Sequence, residues 1–264
     1  MKPVLMLLTN LYNGEQEDIF LGQQLEKKFK IVMCHPADCA PLEGRVDAIL
    51  IRNAWPTQSF LKVYEDMKAR FLRKKLKVYN DLSGSGDING KNYLIHLFNQ
   101  GYPVIPSIDN VNDMKKLPKS NHFLVKPKHG GGSKGIIRLE KKELLKLEPH
   151  GYIIQPLISF EYEISFYFID GKFQFALRDN RRSRWTMKEY IPRKSDLEFA
   201  SKFVKWNTMK YGLQRIDACR KQDGSLLLME VEDIAPYLSL LDIRRSLRNK
   251  MIKNLITSIN KNCF

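Results

Sequence analysis

Long apolar runs are missing from this sequence: no stretch of its 264 residues approaches the roughly 20 apolar positions that a membrane-spanning helix needs. The first ten residues hold only a short run, Val4–Leu8. That is too short for the core of a secretory leader and suits a buried first strand. Cysteine is scarce. Cys34, Cys39, Cys219 and Cys263 show no CxxC spacing, which argues against a disulfide framework or a zinc site and for a reducing, cytoplasmic setting. The histidines (His35, His96, His122, His129, His150) are scattered. There is no Walker A loop, zinc finger, RNP-type motif, internal repeat or low-complexity segment, and no sign of a serine or cysteine triad.

What is abundant is positive charge. The net charge is +15, while 43% hydrophobic and 28% charged residues are ordinary for a globular chain. The excess points to a polyanionic partner: nucleic acid, an anionic membrane surface or a phosphorylated small molecule. It is unevenly spread. Residues 1–85 hold 13 Lys+Arg against 10 Asp+Glu, and residues 86–264 hold 31 against 19.

The first 85 residues alternate strand and helix patterns: strands at Val4–Leu8, Lys30–Met33, Val46–Ile51 and Lys77–Tyr79, helices at Ile19–Phe29 and Phe60–Leu72. This rhythm predicts an α/β layer. A helix at Lys91–Gln100 follows, closed by Gly101 and Pro103. From Phe123 the strands lie closer together: Phe123–Lys126, Ile136–Leu139, Tyr152–Gln155, Glu163–Ile169, Lys172–Leu177 and Leu226–Val231. Asp170-Gly171 and Asp223-Gly224 are two-residue hairpin signals. Helices are expected at Asp196–Lys210 and Leu241–Ile259. The chain therefore reads as α/β followed by α+β.

Three segments carry chemistry. In Phe123–Gly135 an apolar strand presents Lys126, and a loop with Gly130, Gly131, Gly132 and Ser133 follows, leading into another strand. Such a loop can turn its backbone N–H groups onto phosphate oxygens, or it is a plain hairpin loop with incidental lysines. In Arg215-Ile-Asp217 and Leu226–Asp233, strand alternation points Glu230 and Glu232 the same way, with Asp217 on the partner strand. Three carboxylates on one face call for a hard divalent cation, or else one pairs with Arg215 and another faces solvent. In Tyr152–Ile158 a strand breaks at Pro156 after Gln155 and restarts near Glu163; exposed backbone there could meet a flat base edge.

In this order and spacing the three segments resemble the ATP-grasp superfamily of ligases, from about Gly86 to Leu240, nearest the glutathione-synthetase-like and ribosomal-protein-S6-glutamate-ligase-like branch. The resemblance implies an N-terminal Rossmann-like pre-ATP-grasp domain (1–85) and a two-subdomain ATP-grasp unit (86–264, divided near 153/154), with ATP between antiparallel sheets. It implies that Lys91 and Lys126 contact ATP phosphates or adenine N7, and that Gly130, Gly131, Gly132 and Ser133 close over the phosphates. Gln155 and the backbone at Leu157 would read adenine, and Glu163 would hold the ribose. Asp217, Glu230 and Glu232 would hold Mg²⁺, or Mn²⁺ in its place, while Arg178 and Arg215 act on the phosphate or the intermediate. Many members have Asn where this chain has Glu232. The implied reaction joins a small carboxylate substrate to an amine acceptor through an acyl-phosphate, in a monomer or homodimer. Two other readings stand beside it: a basic nucleic-acid-binding protein, for which residues 243–264 hold six cations and no acid, and a nucleotide-binding relative without ligase activity. The run Arg178–Trp185 reads as a loop that is either merely solvated or grips acidic groups, and Arg52 as a carboxylate anchor or a surface arginine.

Overall fold

The computed structural model describes residues 1–10, 16–52, 61–146, 150–180 and 183–264, without side-chain detail at 180 and 183–185. Strands β1 (Val4–Leu8), β2 (Lys30–Cys34), β3 (Ala48–Ile51) and β4 (Val78–Tyr79) form a parallel sheet in the order β2-β1-β3-β4. The central strands are apolar on both faces because both faces are covered. Met6, Leu8, Ile49 and Ile51 meet Tyr64, Met67 and Phe71 of α2 (Leu61–Arg73). Leu5, Leu7 and Leu50 meet Leu21 and Leu25 of α1 (Gln16–Leu25) on the other side.

That second face is completed from the far end of the chain. Helix α6 (Arg245–Cys263) lays Met251, Leu255, Ile259 and Cys263, a stripe at helical spacing, onto the same cluster. Phe264 stacks on Phe29 at 5.5 Å, and Tyr79 Oη donates to Ser258 Oγ at 2.7 Å. Most cations of this basic end face outward: Arg244, Arg245, Lys250, Lys253 and Lys261 are exposed, while Arg248 is half-buried over the Phe20 ring at 5.1 Å.

The later part holds two antiparallel sheets. β5 (His122–Pro127), β6 (Ile137–Glu140) and β7 (Tyr152–Pro156) are ordered β6-β5-β7. β8 (Tyr162–Ile169), β9 (Lys172–Asn180), β10 (Ser183–Tyr190), β11 (Leu213–Arg220) and β12 (Leu226–Glu232) are ordered β10-β9-β8-β11-β12. One face of the five-stranded sheet packs on Phe199, Ala200 and Phe203 of α5 (Lys194–Trp206) and on Tyr93, Leu94 and Leu97 of α3 (Asn92–Asn99). A short helix, α4 (Lys141–Leu144), follows β6.

Two expectations from the sequence change here. The run after Arg178 is not a loop: β9 extends to Asn180 and β10 begins at Ser183, while Arg181 and Arg182 lie outside the described residues. Asp170-Gly171 is a two-residue turn with both residues at positive φ (49° and 71°). At Asp223-Gly224, by contrast, the loop has three residues: Lys221 N donates to Ser225 O, Gly224 N to Lys221 O, and only Gly224 turns left-handed.

The junction between the two parts is polar and buried. The Asn80 side chain accepts from Leu213 N and donates to the carbonyls of Leu213, Asp233 and Ile234. Gly212 is obligatory beside it, since a Cβ there would lie 2.7 Å from Asn80 Oδ1 and its φ is 132°. The Asp233 carboxylate accepts from Gly86 N, Ile88 N and Asn207 Nδ2, fixing the segment that leads into α3.

Because Leu255 is 1% exposed at the centre of the α6 stripe, Leu255→Ala is expected to cost about 2–5 kcal/mol of unfolding free energy. Urea denaturation measures this.

Candidate functional site

The site starts from strand register. Arg215 lies opposite Glu232 and Asp217 opposite Glu230 on β12, and Asp217 opposite Ser165 on β8. Paired residues share a face, so all five side chains stand on the face away from α5, while Ile216 and Val231 enter the core. This meeting depends on one inserted residue. Continued from the three-residue loop, regular pairing would put Met229 opposite Asp217 and turn both glutamates to the other face. A β-bulge between Asp217 and Ala218 absorbs one residue of β12 and restores them.

The three expected metal ligands come together: one oxygen from each of Asp217, Glu230 and Glu232 lies within 4.8 Å of the others. The pairing with Arg215 exists as well. Its guanidinium grips Asp217 in a fork (Nε–Oδ1 2.9 Å, Nη2–Oδ2 2.8 Å), touches Glu232 Oε1 at 2.6 Å and donates to the Tyr237 carbonyl. Ser165 Oγ donates to Asp217 at 2.7 Å. Lys91, at the start of α3, sits between Asp87 (2.9 Å) and Glu230 (3.3 Å). Tyr93 Oη donates to Asp87 and accepts from Val231 N, which ties the helix to β12.

Titration behaviour follows from this crowding. Burial, then repulsion from Asp217, Glu230 and Asp87, pushes the Glu232 carboxyl up to about 8 despite Arg215. Burial, helped by Glu230, pushes Asp87 up to about 6 although Lys91 opposes it. For Glu230 burial works in the raising direction, but Lys91 and Lys126 outweigh it and hold the carboxyl below its ordinary range. Burial would lower Lys91 and Arg215, and their carboxylate neighbours reverse the direction in both.

The three-stranded sheet supplies the other wall. By register, Leu124 and Gln155 face the same way as Lys126 and Ile153, and the Lys126 charge is close enough to Glu230 to help lower its carboxyl. Lys126 is buried. Beyond it the loop 128–135 is largely exposed, with Gly132, Ser133 and Gly135 at positive φ (60°, 61° and 74°). Lys128 pairs with Asp109, and His129 packs flat against Gly90, where a Cβ would lie 2.6 Å from its ring. Gln155 is buried, with Nε2 on Ser107 Oγ and Oε1 lacking a hydrogen-bond partner among the described residues. The N–H of Leu157 donates to the His122 carbonyl, so this residue has only its carbonyl left to offer a base. Glu163 is half-buried on the carboxylate face, opposite Cys219, and its N–H donates to Asp179.

Two arginines are not where the sequence suggested. Regular pairing from the Asp170-Gly171 turn would set Arg178 opposite Glu163, on the carboxylate face. A bulge between Tyr167 and Phe168 shifts the register by one, so Arg178 pairs with Ile164 and emerges on the opposite face, exposed and stacked over Tyr162 at 5.2 Å. Arg52 is 2% exposed and fully engaged with Glu17, Asp18 and the Pro236 carbonyl; it is no free carboxylate anchor. Its neighbours Asn53–Trp55, and the side chains of Arg181–Trp185, lie outside the described residues. Sequence reasoning missed the roles of Tyr93, Ser165, Asp233 and Ser107. Only the Asp87/Lys91 pair, four positions apart, was close enough in sequence to carry a local signal.

No protein-family model matches the sequence and no curated protein matches it. Solved structures do. A D-cycloserine synthetase superposes with a TM-score of 0.73 at 19% identity, over 96% of this chain and 99% of that one. The ATP-grasp ligase PsnB, complexed with a precursor variant, Mg and ADP, gives 0.67 at 15% identity over 96% and 98%. A D-alanine–D-alanine ligase from Bacillus anthracis complexed with ATP gives 0.64 at 18% identity over 98% and 99%.

Arg178→Ala is expected to leave turnover within about threefold of wild type, since only an exposed cation–π contact is lost; steady-state kinetics checks this. Metal affinity should rise with pH. Glu232 is protonated below about 8 and must lose that proton to ligate, so Mn²⁺ titrations followed by water-proton relaxation should tighten between about pH 6 and 9.

Proposed function

From the ATP-grasp fold that the chain shares with these structures, we propose that it is an ATP- and Mg²⁺-dependent ligase joining a small amino-acid-like or peptide carboxylate to an amine through an acyl-phosphate. The observation that carries this reading is the convergence of Asp217, Glu230 and Glu232 on one strand pair, with Arg215 and Lys91 interleaved and Lys126 opposite. Hard carboxylate oxygens suit Mg²⁺ or Mn²⁺ with phosphate as co-ligand, and interleaved cations suit phosphate itself. The orphaned acceptor of Gln155 on the same wall suits a base with an amino group. On this reading residues 1–85 precede an ATP-grasp unit at 86–264, with subdomains meeting near 153/154 and the nucleotide between the two antiparallel sheets.

When bound, ATP supplies the phosphoryl group that activates the carboxylate. The chain's own residues position and neutralise. Asp217, Glu230 and Glu232 would hold the metal. Lys91, Lys126 and Arg215 would neutralise the phosphate oxygens, including the leaving oxygen on which negative charge develops. Gly130–Gly132 and Ser133 cover the phosphates with backbone N–H groups and exclude water; Glu163 takes the ribose hydroxyls. No protein nucleophile is required. The buried cysteines are poor ones, with Cys39, Cys219 and Cys263 pushed up to about 11 mainly by burial.

The shared ATP-grasp fold favours this reading over the nucleic-acid one; the apolar stripe of the basic helix packs into the core while most of its cations stay exposed.

The test offers the protein Mg²⁺, ATP and pools of amino acids, dipeptides and hydroxy acids, scoring ADP together with new product mass. Carboxylate-dependent ADP release is expected, and Glu230→Gln should lower it by at least ~100-fold while melting stays cooperative. ADP release indifferent to every carboxylate and amine would count against ligation.

A further inference from the structure

The segment after Pro103 runs between the two walls of the site. Ile105 N donates to the Leu228 carbonyl of β12, and Ile108 exchanges both backbone hydrogen bonds with Ile154 of β7. Between them stands Ser107, 0% exposed. Its hydroxyl donates to the Ile105 carbonyl at 2.8 Å and accepts from Gln155 Nε2 at 2.8 Å.

A hydroxyl has one proton. That of Ser107 is committed to Ile105, so the serine can offer Gln155 only a lone pair. The lone pair selects the amide nitrogen and turns the amide oxygen the other way. Flipping the amide would set two acceptors against each other, or strip the buried Ile105 carbonyl of its donor. The amide oxygen, on a side chain 1% exposed, is buried and has no hydrogen-bond partner among the described residues. A buried acceptor calls for a donor, which a water or a ligand can supply. It sits on the face that also carries Lys126.

Resting on the nucleotide reading above, we propose that Ser107 is a positioning residue that locks the amide of Gln155 with its oxygen toward the base. The site thereby selects a purine with an exocyclic amine on its six-position over one with a carbonyl there. Base preference is set by a residue that itself faces the Ile105 carbonyl and Gln155.

The experiment compares ATP with ITP, which carries a carbonyl in place of the amine, by calorimetric binding to the full chain. Wild type should bind ATP at least ~10-fold more tightly, about one hydrogen bond's worth. Ser107→Ala frees the amide to rotate and should cut that ratio by ~3–10-fold, mainly through tighter ITP binding. Gln155→Met should abolish the preference, and adding Ser107→Ala to it should change nothing further. A serine that only supported the fold would weaken both nucleotides alike. An unchanged ratio in Ser107→Ala overturns the inference, as does equal binding of ATP and ITP by wild type, which decides the matter even if the variant does not fold. Binding of neither nucleotide would instead overturn the proposed function itself.

Discussion

Four carboxylates, Asp87, Asp217, Glu230 and Glu232, are packed around two internal cations, Lys91 and Arg215. Like charges at such range in a partly dry setting are tolerable only when counter-charges are interleaved. The surrounding fold serves that requirement. β11 and β12 bring Asp217 and the two glutamates to one face, α3 delivers Lys91 from the side, and the Tyr93 hydroxyl holds α3 to Val231.

The same residues are held from the N-terminal side. Glu17 accepts the amides of Leu238 and Leu240, Arg52 reaches the carbonyl of Pro236, and Tyr167 shares a hydrogen bond with Ser239. Arg215 completes the ring by donating to Tyr237. The loop just past β12 is thus suspended between the first sheet and the carboxylate cluster. Buried charge, elsewhere a liability, here fixes the relative position of two sheets.

Much of this was legible in residue order. The parallel sheet followed from apolar runs, and Glu230 and Glu232 from period-two alternation. The meeting of Asp217 with Glu230 was also anticipated, though through two compensating slips: a two-residue turn was expected where the loop has three, and the β12 bulge takes the extra residue back. At β9 no second slip compensates, and a single bulge carried Arg178 to the wrong face. Bulges leave no local signature in composition, yet each inverts every side chain beyond it. Ser107 and Asp233 were illegible for another reason: their partners stand 48 and 145–147 positions away along the chain, so nothing in nearby spacing points to them.

The closing of the first sheet by α6 has a consequence for biogenesis. Leu5, Leu7, Leu25 and Phe29 are covered by residues at the opposite end of the polypeptide. During synthesis this layer emerges with an oily flank that its own neighbours cannot hide, and it waits until α6 has been made. A layer made well before α6 is therefore sealed only after it. In that interval the exposed flank is a natural docking point for chaperones.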